Sequence, residues 1–146
     1  MKEHAMFIKQ SELFLGTSMD FVQKFMDASE ITSHTAGDIL FRESDRADRF
    51  YILLSGCVSL SLGDPPKAVY RAERNGEAFG WSSLVGDKIY SASAECLRST
   101  TVLRTDSQKF AVVLAEDSAN SAIFFKRLAA TLGKRLLESY KLIDPE

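Results

Sequence analysis

The sequence predicts a mainly β fold with flanking helices: a double-stranded β-helix, or jelly-roll barrel, with an N-terminal helix and a long C-terminal helix for dimerisation. Three observations carry this expectation. Between Ile31 and Thr105, short apolar or alternating runs are separated by turn signals at near-regular intervals, as in a barrel or sandwich. Before them, Met19 to Ser29 carries apolar residues at helical spacing. After Thr105 the spacing turns helical again and stays so. One domain over 1–146 is expected, in three parts: an N-terminal helical segment (1–30), the jelly roll (31–105) and C-terminal helices (106–146), with no DNA-binding domain.

In the first helix, Phe21, Val22, Phe25 and Met26 share one face, Thr17 or Ser18 can cap the first turn, and Gly16 breaks the chain before it. Ile39 to Phe41 is a short strand after the turn pair Gly37-Asp38. Phe50 to Leu54 is a continuous apolar run ended by Ser55-Gly56, and Val58, Leu60 and Leu62 alternate with Ser59 and Ser61. Gly63-Asp64-Pro65-Pro66 is a loop, and Val69 to Glu73 a strand ending at the turn Asn75-Gly76. Tyr90 to Leu97 and Thr100 to Thr105 supply two more strands. Asp106 caps a short helix to Leu114; Asp117 or Ser118 opens a longer one to about Ile143, where Asp144-Pro145 stops it.

That last helix carries two apolar stripes. Ala122, Phe125, Ala129, Leu132, Leu136 and Ile143 form one, and Ile123, Phe124, Leu128 and Leu137 lie on a neighbouring face. One stripe is enough to dock on the barrel; two imply burial from both sides, with a second copy of the helix as the simplest partner. The alternative is one wide stripe folded against one barrel.

Composition excludes several classes of function. Hydrophobic residues are 45% and charged residues 26%, a globular balance that argues against disorder. The formal charge of -2 gives no help to nonspecific nucleic-acid binding. No apolar stretch reaches signal-peptide or membrane-spanning length, so the chain is expected to stay in the cytoplasm, away from membranes. Cys57 and Cys96 lack the spacing of metal ligands and read as two reduced, buried cysteines. His4 and His34 sit in no nucleophile or ligand motif, so no enzyme and no metal site is expected. Glu43, Asp45 and Asp48 read as a solvated hairpin tip with Arg42, Arg46 and Arg49 as counter-charges. Lys126, Arg127, Lys134, Arg135 and Lys141 read as a solvated helix edge rather than a DNA-recognition surface.

The ordered set from His34 to Glu43 (His-Thr-Ala-Gly-Asp-Ile-Leu-Phe-Arg-Glu), then Asp48-Arg49-Phe50-Tyr51-Ile52-Leu53-Leu54-Ser55-Gly56-Cys57-Val58, resembles the cyclic-nucleotide-binding domain of the catabolite-activator and fumarate-nitrate-regulator (Crp/Fnr) family. Gly76-Glu77-Ala78-Phe79-Gly80 resembles the approach to that family's phosphate-binding cassette, and the likeness spans roughly Phe14 to Ile143. It implies a cytoplasmic, dimeric, signal-sensing module. In such regulators a helix-turn-helix follows the long helix; here three residues follow Ile143, so no direct DNA binding is expected.

The resemblance also places a ligand site. The cassette helix would be Trp81 to Val85, with Ser82 and Ser83 in its first turn and backbone N–H groups facing a phosphate. Phe79, Gly80, Trp81, Ser82, Ser83, Leu84, Lys88, Tyr90 and Ser91 are the candidate ligand-binding residues, and Ala122, Phe125, Ala129, Leu132 and Leu136 the candidate dimer residues. Two family side chains are missing: Trp81 stands where a Glu would bind the ribose, and Tyr90 where an Arg would bind the phosphate. At about 1.5–3 kcal/mol for each charged hydrogen bond, their loss weakens a cyclic mononucleotide roughly a hundredfold. Lys88, in the loop Gly86-Asp87-Lys88, or less well Arg98, could supply a replacement charge. Trp81 and Tyr90 either fill the pocket or form an aromatic wall for another ligand. Two expectations therefore stand. One is a sensor for a nucleotide-like or other phosphate-bearing anion other than ordinary cyclic AMP. The other is a ligand-independent interaction and dimerisation module with an occupied pocket and an unidentified protein partner.

Overall fold

The computed structural model describes residues 2–85 and 88–143, and side chains from Glu3 to Lys141 within that span. Gly86-Asp87, the helix stop at Asp144-Pro145 and the Ile143 side chain lie outside the described residues. Helices α1 (Lys2–Gln10) and α2 (Met19–Asp27) precede eight strands: β1 (Ser29–His34), β2 (Ile39–Phe41), β3 (Arg49–Ser55), β4 (Val58–Leu62), β5 (Lys67–Ala72), β6 (Ala78–Phe79), β7 (Ser93–Cys96) and β8 (Thr100–Asp106). A single 3-10 turn, Trp81–Ser83, follows β6, and α3 (Ser107–Glu116) and α4 (Ser118–Ile143) close the chain.

The strands form two four-stranded sheets, ordered β1-β8-β3-β6 and β2-β7-β4-β5, with every pairing antiparallel. Strand β3 explains the continuous apolar run in the sequence. Phe50 and Ile52 face the helices, while Tyr51 and Leu53 face the space between the sheets, so the strand is buried on both sides. Its neighbour β8 divides in the same way, Leu103 toward the helices and Val102 inward. In β4, Val58 and Leu60 point inward and the intervening Ser59 and Ser61 are half-buried.

The helices share a separate aromatic core. Phe14, Phe21, Phe25, Phe50, Phe110 and Phe124 are fully buried, with Phe14 centred 4.6 Å from Phe25 and 5.2 Å from Phe124. This layer, not the barrel, ties the N-terminal segment to α4. Caps fix the ends: the Ser18 hydroxyl accepts from the Phe21 N–H, and the Asp106 carboxylate accepts from the N–H groups of Gln108 and Lys109. At the β3–β4 turn, Gly56 has φ +109°, and a Cβ there would lie 2.4 Å from the Thr100 hydroxyl, so the hairpin closes only on glycine.

Several boundaries differ from the sequence expectation. The strand expected from Tyr90 begins at Ser93, because Tyr90 bonds instead to the β2–β3 loop through the Asp45 carbonyl and the Ser44 N–H. The strand expected over Val69 to Glu73 occupies Lys67–Ala72, since both N–H groups of Glu73 and Arg74 turn to the Glu77 carboxylate. The cassette helix expected over Trp81 to Val85 is one 3-10 turn. Helix α1 was not placed by the sequence. The α4 stripes are also redistributed: Phe124 and Leu128 enter the core, Phe125 and Leu132 pack partly against it, and Ala122, Ala129, Leu136 and Leu137 are exposed. Cys57 and Cys96 are free and buried. Among the described residues, no helix is long and apolar enough to cross a membrane.

Because Phe124 lies where α1–α2, β3 and α3 meet, Phe124→Ala is expected to cost about 3–5 kcal/mol. Urea denaturation with an unchanged slope checks it; a loss below about 1 kcal/mol would show that α4 is not anchored there.

Candidate functional site

The stretch after β6 is shaped by Gly80, whose φ of +76° lets the chain pass close to Tyr51 and the Arg49 carbonyl before the 3-10 turn. Within the turn, the Ser83 N–H and hydroxyl both donate to the Gly80 carbonyl, at 3.2 and 2.9 Å, and the N–H groups of Leu84 and Val85 return to the Trp81 carbonyl. Of the N–H groups that a cassette helix starting at Trp81 would leave free for an anion, that of Ser83 is therefore spent inside the turn.

Tyr90 is buried beside this turn. Its ring stacks on Phe41 at 3.8 Å and 14°, and its hydroxyl donates to the Arg49 carbonyl at 2.8 Å while accepting the Arg49 N–H at 3.1 Å. Burial pushes the phenol well above its ordinary value, with the Tyr51 hydroxyl adding to the effect, so it remains neutral and a donor. A phenol stacked and doubly hydrogen-bonded in this way belongs to the core. Around it, Phe41, Leu60, Gly80, Trp81, Ser82, Tyr90, Ser91 and Ala92 line a shallow cavity of about 40 Å³, room for a few waters at most. Gly80, Trp81, Ser82, Tyr90 and Ser91 are thus brought together. Phe79 is in the barrel core, stacked on Tyr51, while Ser83 and Leu84 point elsewhere and exposed Lys88 does not line the cavity.

The sequence missed the residue that seals the other side of this turn. Arg135, expected on a solvated helix edge, is only 12% exposed. Its guanidinium lies 4.5 Å from the Tyr70 ring centre and 4.8 Å from that of Trp81. Its Nη2 donates to the Ala78 carbonyl at 2.7 Å and lies 3.6 Å from the Glu77 carboxylate; buried Nη1 has no hydrogen-bond partner. Arg135 reaches from α4 to β5, β6 and the cassette turn at once, a contact over 57 residues of chain that helical spacing does not reveal.

Glu77 is the counter-charge. It accepts the Tyr70 hydroxyl on one oxygen and the N–H groups of Glu73 and Arg74, each at 2.9 Å, on the other. Burial alone would raise its pKa, but the Tyr70 hydroxyl, those two N–H groups and the Arg135 charge together hold it below the ordinary value of 4.5.

A larger cavity, about 520 Å³, opens on the far side of Arg135, between α1, the Arg74–Ala78 turn and α4.

The family model for the cyclic nucleotide-binding domain matches residues 31–117. The chain is 22% identical over 161 residues to cGMP-dependent protein kinase 2 of Mus musculus, covering 97% of this chain and 20% of the kinase. It spans about a fifth of the length of such curated relatives. Among solved structures, a Geobacter metallireducens GS-15 protein assigned to cyclic nucleotide binding superposes with a TM-score of 0.81 at 23% identity, over 90% of this chain and 97% of that one. The sensor domain of the transcriptional regulator DNR from Pseudomonas aeruginosa gives 0.75 at 20% identity, over 90% and 95%. The Thermus thermophilus catabolite activator protein gives 0.73 at 26% identity, over 92% and 62%.

Since the folded-state pKa of Glu77 is lowered, its stabilisation is present above pH 4.5 and is lost as pH falls through the folded value. Glu77→Gln is therefore expected to be less stable than the wild type at pH 7 and to lose less further stability between pH 5 and 3. Parallel slopes of stability against pH in the two proteins would show that the carboxylate is not held in this way.

Proposed function

We propose that this chain, which belongs to the cyclic nucleotide-binding domain family, is a regulatory module that does not take ordinary cyclic AMP in the family pocket. One observation carries the reading: the Phe41–Tyr90 stack and the Trp81 turn leave about 40 Å³ there, whereas small-molecule pockets are of roughly 300–1,000 Å³. Opening it requires breaking both hydrogen bonds of Tyr90 to Arg49 and unstacking its ring. Among the described residues that line this cavity, none is charged.

The output of the module is α4. Its C-terminal half runs past the barrel with Leu136, Leu137 and Tyr140 more than half exposed, on one side of the Arg135 anchor. Association with a second copy along this helix buries those side chains and joins two barrels. Ala122 and Ala129, both exposed, and half-buried Phe125 and Leu132 extend the same seam toward the N-terminal half. A signal that changes how Arg135 holds α4 then changes the dimer, as a population shift between helix positions. The occupied pocket also favours a second reading, an interaction module that needs no ligand and holds its dimer helix in one position. No catalytic role is assigned under either.

A thermal-shift titration with cyclic AMP and cyclic GMP tests the first claim. A ligand at 100 times its dissociation constant stabilises a fold by about 2.7 kcal/mol, so a saturable rise in Tm for either would overturn the reading. The expected result is no shift at millimolar nucleotide, with light scattering giving twice the mass of one chain.

A further inference from the structure

Resting on the reading that α4 pairs with a second copy, we propose that the two helices run antiparallel and cross at the level of Thr131, with Ala129 of each against Gly133 of the other. The pairing follows from the outer side of α4. Ala122, Ala129 and Leu136 recur every seven residues, and Lys126, Gly133 and Tyr140 recur every seven between them. Together they form a seam on the side turned away from Phe124, Leu128 and Arg135, which hold α4 to its own barrel.

Gly133 marks the crossing. A glycine inside a 26-residue helix costs stability relative to alanine. The backbone is helical at Gly133, so no special conformation calls for it, and a Cβ there would meet no described atom within 4 Å. The space it leaves opens outward, between exposed Ala129 and Ala130 on one turn and exposed Leu136 and Leu137 on the next. A second backbone can come close only where side chains are this small.

Size and charge decide the direction. The seam is small toward its N-terminal end and large toward its C-terminal end. In an antiparallel pair centred on Thr131, Ala122 faces the partner's Tyr140, and Lys126 lays its aliphatic stem on the partner's Leu136 with its ammonium group in water. A parallel pair would set like against like: the two Lys126 ammonium groups would meet, and Ala122 against Ala122 would leave a gap. The antiparallel pair also covers the apolar side chains at both ends. Leu137, more than half exposed, comes beside the partner's Ile123. The segment between α1 and α2 runs past that end of α4: a Cβ on Gly16 would lie 3.5 Å from Ile123, and Asn120 bonds to Ser18. Exposed Leu15 and Met19 stand there to flank the incoming helix. Each α4 thus reaches from its own Arg135 clamp across the N-terminal segment of the other copy.

The test places a nitroxide on the intact chain through Lys141→Cys, at an exposed position beside the seam, and measures the label-to-label distance in the dimer by pulsed electron paramagnetic resonance. The wild type, treated in the same way, shows that buried Cys57 and Cys96 stay unlabelled. Antiparallel helices crossing at Thr131 set the two positions about 30 Å apart along the axis. Parallel helices set them side by side, with axes roughly 8–10 Å apart. Gly133→Leu, checked for unchanged helix content by circular dichroism, is expected to weaken the dimer about tenfold or more in sedimentation. Labels held side by side, or a dimer unchanged by Gly133→Leu, overturn the proposal. Light scattering that gives the mass of one chain for the wild type overturns instead the reading that α4 pairs with a second copy, so the two failures are distinct.

Discussion

The guanidinium of Arg135, between the rings of Tyr70 and Trp81, is the contact on which the functional half of this molecule depends. It is the point where α4, the β5–β6 region and the cassette turn meet, and four partners converge on it: two aromatic faces, a carbonyl and a carboxylate. A planar cation is suited to this place, since it stacks on rings while its edge donates in plane. A lysine would supply the charge and lose the stacking. The Nη1 group, buried without a hydrogen-bond partner, shows that ring faces rather than oxygen acceptors surround part of the cation.

Much of the site follows from that clamp. Glu77 is needed to balance the charge, and it is itself held by Tyr70 and the turn backbone, so the Arg74–Ala78 turn, Tyr70 and α4 form one polar unit. Trp81, held over Arg135, closes one side of the small cavity while Tyr90, stacked on Phe41, closes the other. Phe41, Trp81 and Tyr90 together leave about 40 Å³ at this place. The space left over lies on the outer side of the clamp, between α1 and α4.

The sequence showed the architecture better than the site, for physical reasons. Phe50 to Leu54 is legible because burial on both faces demands an unbroken apolar run, and Asp106 because a cap needs a side-chain acceptor just before a helix. Helix α1 was not, since Ala5 and Ile8, its buried side chains, make too short a pattern over nine residues. Two-residue β6 has no periodicity to read. The motif spacing brought Trp81 and Tyr90 to one place and left open whether they fill it or line it, because that depends on Phe41 and the Arg49 backbone, far away in sequence. Arg135 was misread for the same reason: on its own helix it is one cation among several, and its partners are Tyr70, Glu77, Ala78 and Trp81.

The most direct test of the clamp is a double-mutant cycle between Arg135→Lys and Trp81→Leu, with unfolding free energies measured in urea at neutral pH. The account predicts a coupling of at least about 0.5 kcal/mol, because the ring and the guanidinium lose most of their mutual attraction when either is changed. Additive losses, agreeing within about 0.3 kcal/mol, would contradict it and show that the Trp81 ring and the Arg135 guanidinium do not act together in holding α4.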